Sequence, residues 1–91
     1  MTGSPFPPYY YHTPSIAKKH GFMRYWAGAG TSIYVNNKQT VIVFTDTGNA
    51  VLVQFYRDEK ILEEFYLDEL AMKRESIREA IGEIFEIAAA L

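Results

Sequence analysis

Thr40-Val41-Ile42-Val43-Phe44-Thr45, then Asp46-Thr47-Gly48-Asn49, then Ala50-Val51-Leu52-Val53-Gln54-Phe55-Tyr56, is the stretch that decides the fold. β-Branched and aromatic residues fill its two outer runs, and residues that tolerate a positive φ fill the middle, so it reads as a β-hairpin. In the second run Val51, Val53 and Phe55 share one face, while Ala50, Leu52, Gln54 and Tyr56 share the other. The first run is different. Val41-Ile42-Val43-Phe44 is apolar at both parities, which predicts a central strand with cover on both faces.

Working outward, Asn36-Asn37-Lys38 is a second turn, and Ser32–Val35 before it a further strand,. On the other side Arg57-Asp58-Glu59-Lys60 suits a third turn. The period of Ile61–Leu67 fits either a strand or a helix face at Ile61, Leu62, Phe65 and Tyr66. The hairpin rhythm favours the strand. Beyond it Asp68 is a candidate cap for a helix whose apolar stripe is Leu70, Ile77, Ile81, Ile84, Phe85, Ala88 and Leu91. Ser76-Ile77-Arg78-Glu79 has capping-box spacing, so that helix has a second possible start at Ser76. Gly82 costs about 1 kcal/mol against alanine inside a helix. It is read as allowing close approach of another backbone, the sheet below or a partner helix. The expected fold is α+β: a three- or four-stranded antiparallel β-meander with a C-terminal amphipathic helix packed on one face.

Upstream, Phe22–Trp26 reads as a short strand, Ala27-Gly28-Ala29-Gly30 as a flexible turn, and Ser15–His20 as one helical turn. Residues 1–14, with Pro5, Pro7, Pro8 and Pro14 among tyrosines, read as an extended arm that forms neither helix nor central strand. Residues 15–91 form a single domain, since 91 residues at 48% hydrophobic and 22% charged suit one small globular unit,. There is no cysteine, hence no disulfide or thiolate metal site. No apolar run is long enough to span a membrane, and the N-terminus lacks the pattern of a signal peptide, so the expected location is the cytoplasm of the host cell.

The net charge of −2 conceals a segregation. Up to Thr45 there are four basic residues, Lys18, Lys19, Arg24 and Lys38, and no acid; all 11 acids follow, against five basic residues. Lys18, Lys19, Arg24, Tyr25 and Trp26 thus form a basic, aromatic segment of the kind that contacts phosphates and stacks on bases. The alternative is that the rings pack in the core and the lysines stay in water. Glu75, Glu79, Glu83 and Glu86 offer an acidic helix face to a basic partner. Tyr9, Tyr10 and Tyr11 offer large contact area with little entropy to lose.

Val43-Phe44-Thr45-Asp46-Thr47-Gly48 resembles the catalytic loop of retroviral-type aspartic proteases, in which two chains pair their aspartates. The resemblance covers only these residues. Thr45 departs from the apolar pattern, no glycine-rich flap follows, and most of the residues after Gly48 read as helix in place of that family's β-rich body. Asp46 is therefore read as a turn residue. His12 and His20 have no acids nearby, so no metal site and no cofactor is expected. Together these readings describe a non-enzymatic protein-binding module, of the accessory-inhibitor kind, that occupies a partner's surface. Because one helix covers only one face of a sheet, the other is expected to be closed by the Tyr-rich arm, by another chain or by both, and the chain is expected to form a homodimer. Binding of single-stranded nucleic acid through residues 18–26 is the alternative function.

Overall fold

The computed structural model describes residues 9–91, with side chains from residue 13 onward. The chain runs α1 (Tyr9–Lys19), β1 (Phe22–Gly28), β2 (Thr31–Asn36), β3 (Val41–Asp46), β4 (Val51–Arg57), β5 (Lys60–Tyr66), α2 (Leu67–Met72) and α3 (Ile77–Ala90). The strands form one antiparallel sheet in the order β1-β2-β3-β4-β5, with β3 in the centre as its apolar run requires. The fold is α+β, with α3 packed on the sheet. The sheet has five strands where three or four are expected, because the Phe22–Trp26 run extends to Gly28 and pairs with β2. Only Ala29 and Gly30, at φ 49 and 80, make the turn. Two consecutive positive φ values match the right-handed twist of the strands they join, so a segment that looks flexible by composition is a tight hairpin.

The other turns are built from local polar contacts. Asn36 Oδ1 accepts the backbone N–H of Lys38 (3.0 Å) and of Thr40 (2.9 Å), closing the β2–β3 turn. Arg57 Nη2 donates to Thr40 Oγ1 at 2.6 Å and ties that turn to the end of β4. Between β3 and β4, Asp46 Oδ1 accepts the N–H of Gly48 at 2.8 Å. The period of residues 61–67 resolves as strand: Lys60–Tyr66 continues the meander through the tight turn at Asp58 and Glu59.

One face of the sheet carries the core. Phe22, Tyr34, Ile42, Phe44, Val53 and Phe55 are buried there, together with Ile81, Ile84 and Phe85 of α3 and Ile16 and Ala17 of α1. Phe85 is the hub: its ring lies 5.3 Å from those of Phe22 and Tyr34 and 5.9 Å from that of Phe44.

α1 corrects the expectation of an extended arm over residues 1–14 and a single helical turn at Ser15–His20. Tyr9–Lys19 is one helix with Pro14 inside it. Proline there forfeits the hydrogen bond to the carbonyl of Tyr10, at a cost of about 3 kcal/mol or more. Complete burial of Thr13 and Ala17 and near-complete burial of Ile16 offset it, a large aliphatic side chain alone contributing about 1.5–3 kcal/mol. Residues 1–8 of the arm lie outside the described residues.

The C-terminal helical region breaks at the second possible start. Ser76 caps α3 and its Oγ accepts the N–H of Glu79 at 3.1 Å. Asp68 is not a cap. Its Oδ1 accepts the N–H of Val51 at 2.8 Å, pinning α2 to the start of β4, while Tyr66 holds the N-cap position without a side-chain bond.

The sheet does not approach Gly82 either: among the described residues a β-carbon there would meet nothing within 4 Å. It borders a hollow of about 360 Å³ lined also by Ile16, Lys19, His20, Ser76, Arg78 and Glu79. Gly82→Ala is accordingly expected to stabilise the chain by about 0.5–1 kcal/mol through helix propensity and reduced freedom of the unfolded state. For a domain of this size that raises the melting temperature by about 2–8 °C in a calorimetric scan. An unchanged or lower value would mean that something occupies the hollow.

Candidate functional site: the open face of the sheet

β-Strand alternation places the odd residues of β3 opposite its core residues. Ile42 and Phe44 are buried beneath the helices, whereas Val41 and Val43 point the other way and are only half-buried. Directly opposed residues of an antiparallel ladder share a face, so the register builds the rest of the surface. Val43 lies opposite Ile33 on one side and Gln54 on the other; Val41 lies opposite Val35 and Tyr56. Leu52 continues to Tyr66, Tyr56 to Ile61 and Gln54 to Glu64. On the far side Met23 meets Val35 and Trp26 meets Ile33.

Of the two-sided cover expected for Val41–Phe44, the described residues supply one side. Both α1 and α3 pack with the Phe22, Tyr34 and Phe85 core. Among the described residues no helix packs over the odd side of β3. What remains is an aliphatic centre of Ile33, Val35, Val41, Val43 and Leu52, with larger side chains at its margins. Met23 is 74% exposed, Tyr25 75% and Trp26 48% along β1; Ile61 is 52% and Tyr66 42% exposed along β5.

The geometry of β1 follows from a bulge. Arg24 pairs with Tyr34 and Trp26 with Ile33, which leaves Tyr25 as the extra residue. The bulge brings Tyr25 and Trp26, neighbours in sequence, to the same side. Tyr25 lines a hollow of about 400 Å³ with Ile33, Val35, Asn36, Gln39 and Val41. The Trp26 ring lies along the strand end, close enough that a β-carbon on Gly28 would stand 3.4 Å from it. Glu64 is the one charged residue among the pairs that build this face, and its carboxylate accepts from Gln54 Nε2 at 2.7 Å.

No family model, curated protein or solved structure matches this chain. The site therefore has to be read from its own chemistry.

The other sequence candidates are dispersed by the fold. Lys18 and Lys19 end α1 on the helix side. Arg24, opposite the buried Tyr34, also faces the helix side, whereas Tyr25 and Trp26 lie on the open face. The sheet thus separates the cations of the basic segment from its exposed rings. Glu75 precedes α3 and does not belong to its face; Glu79, Glu83 and Glu86 do. Glu83 is engaged by Arg74, whose Nε and Nη2 donate to it at 2.5 and 2.7 Å. That hydrogen bond holds the Glu83 carboxyl below the usual glutamate range. Its contribution is present above the ordinary glutamate pKa and is lost as pH falls through the depressed value, and solvent screening keeps it small.

The side chains of Tyr9, Tyr10, Tyr11 and His12 lie outside the described residues. His20 donates from Nδ1 to the carbonyl of Ile16 at 3.0 Å and stacks on Phe85. Among the described residues no group of three possible ligands gathers to hold a metal ion. The Asp46 carboxylate serves its own turn. No helix among the described residues is long and apolar enough to cross a membrane. The residues that sequence reasoning missed are the half-buried ones, Ile33, Val35, Val43, Leu52 and Tyr56. Their signal was the apolar character of β3 at both parities.

Proposed function

We propose that this chain is a non-enzymatic protein-binding module whose docking surface is the open face of the sheet. One observation carries the reading: a contiguous face of five strands, aliphatic at its centre, bears, among the described residues, a single charge and no helix over it. Monomeric proteins seldom leave apolar patches larger than a few hundred Å² in water, and such patches mark interaction sites. Trp26, Tyr25 and Tyr66 at the margins are the residue types that anchor interfaces. A surface of this kind acts by covering a matching surface, which is how an accessory inhibitor works, and a homodimer falls within the same reading. We place that work in the cytoplasm, in keeping with a chain that has no cysteine to oxidise.

Val43 and Glu86 separate this face from the acidic helix. With the full chain as bait in host lysate, Val43→Glu is expected to lose the bound partner, because it puts an unpaired charge at the centre of the contact. Glu86→Lys is expected to retain it. The reverse pattern would transfer the site to α3, and a partner retained by both variants would refute either location.

A second reading, single-stranded nucleic acid, draws on the exposed rings of Tyr25 and Trp26, although Arg24, Lys18 and Lys19 lie on the other side of the sheet. Anisotropy of labelled strands would favour it if micromolar affinity fell steeply with added salt.

A further inference from the structure

We propose that the open face is closed by a second copy of this chain, the two sheets packing face to face about a twofold axis that runs along β3. The proposal rests on the reading of that face as a protein-docking surface and names its occupant.

Area is the first argument. Five strands at about 4.8 Å spacing and about six residues of about 3.3 Å each outline roughly 500 Å² in projection, and side-chain relief adds to it. A stable association needs about 600–1,000 Å² from each partner. One sheet face against its own copy therefore reaches the required size, and the two layers would sit about 10 Å apart as in a β-sandwich.

The edges are the second argument. Strand-to-strand association needs a straight free edge, and both edges of this sheet are interrupted. Tyr25 is the extra residue on β1, and on β5 the pairing jumps from Glu63 to Ile61, leaving Leu62 as the extra residue. Bulges at edges block continuation of a sheet. β5 also carries Glu63 and Glu64. With the edges blunted, the open face is the broad apolar surface that the described residues offer to a second copy.

Charge fixes the axis. Among the described residues Glu64 is the one charge on the face, and it stands on the edge strand β5. An axis along β3 places the two β5 strands at opposite margins, with the carboxylates about 19 Å apart across the sheet, beyond the screening length at physiological salt. An in-plane axis across the strands would stack β5 on β5 and bring the two carboxylates together. With the axis along β3, Val41 and Val43 meet their own counterparts. The rings of β1 lie over the partner's β5, against Ile61 and Tyr66.

Trp26 is the only tryptophan and lies on this face, so the protein reports on its own interface. Sedimentation of the full chain at high micromolar concentration should give twice the chain mass. Dilution to low micromolar should halve that mass and move the Trp26 emission to longer wavelength in step with it. Val43→Glu should be monomeric throughout. Should that variant fail to fold, Met23→Glu at a 74% exposed position tests the same contact and is expected to weaken it tenfold or more.

A monomer at high micromolar concentration would overturn the proposal, as would a dimer whose dissociation leaves Trp26 emission unmoved. Short-wavelength emission that persists on dilution but is lost when residues 2–8 are deleted would assign the cover to the chain's own N-terminal segment. Binding of 1-anilinonaphthalene-8-sulfonate separates the two levels. A monomer whose dye signal is lost in Val43→Glu keeps the docking face and refutes only the second copy, whereas a monomer without such a signal refutes both.

Discussion

Phe85→Ala is expected to destabilise the protein by about 3–5 kcal/mol, the range for truncating a buried aromatic ring. Phe85 is fully buried and its ring is the point where the sheet, α3 and the end of α1 meet. It touches Phe22 of β1 and Tyr34 of β2 at 5.3 Å, Phe44 of β3 at 5.9 Å, and His20 after α1 at 6.5 Å. The contact with Tyr34 is edge-on, at 82° between planes, a geometry that adds to simple burial. Alanine would leave a cavity beneath the centre of the sheet that rigid strands cannot collapse into. Small domains have only about 5–15 kcal/mol of stability in total. The variant should therefore melt at least about 12 °C below the parent. Ile87→Ala, on the same helix but 39% exposed, should shift the midpoint by far less. Equal midpoints for the two variants in thermal circular dichroism would show that α3 is not the hub of the core.

The parts of the fold written in local pattern were legible. Alternation in Val51–Phe55 gave the core face of β4, Asn36 and Asp46 gave their turns, and Ser76 followed by Glu79 gave the start of α3. The parts decided by tertiary contact were not. Pro14 argues against helix locally, and only the burial of Thr13, Ile16 and Ala17 reverses it. Ala27 and Gly28 belong to a strand because β2 lies beside them, not because of their own propensity,.

The site shows the same division. Val41–Phe44 revealed that two faces needed cover, a property of parity alone. It could not reveal that both packing helices would choose the Phe44 side and, among the described residues, leave Val41 and Val43 without a covering helix. Candidates picked by charge were scattered: Lys18 ends up on α1, on the helix side, and the bulge at Tyr25 puts Arg24 and Trp26, two residues apart, on opposite faces,.

Deleting residues 2–19 is expected to abolish cooperative folding, and deleting residues 2–8 is not. The described core contacts of α1 begin at Thr13 and continue through Ile16 and Ala17, and the helix packs against both α3 and β1. Its removal takes Ile16 out of the core and uncovers Phe22 and the flank of Phe85. Each large apolar side chain returned to water costs about 1.5–3 kcal/mol, so three such losses approach the whole stability of a small domain. Urea titration followed by near-ultraviolet circular dichroism should show no sigmoidal transition for the longer deletion and a normal one for the shorter. A cooperative transition in both would make α1 an appendage and return the domain boundary to the position that proline-based reading implies, after residue 14. The pair also separates folding from docking. Loss of partner in the longer deletion would follow from loss of structure. Loss in the shorter one, at an unchanged midpoint, would assign a docking role to residues 2–8 themselves.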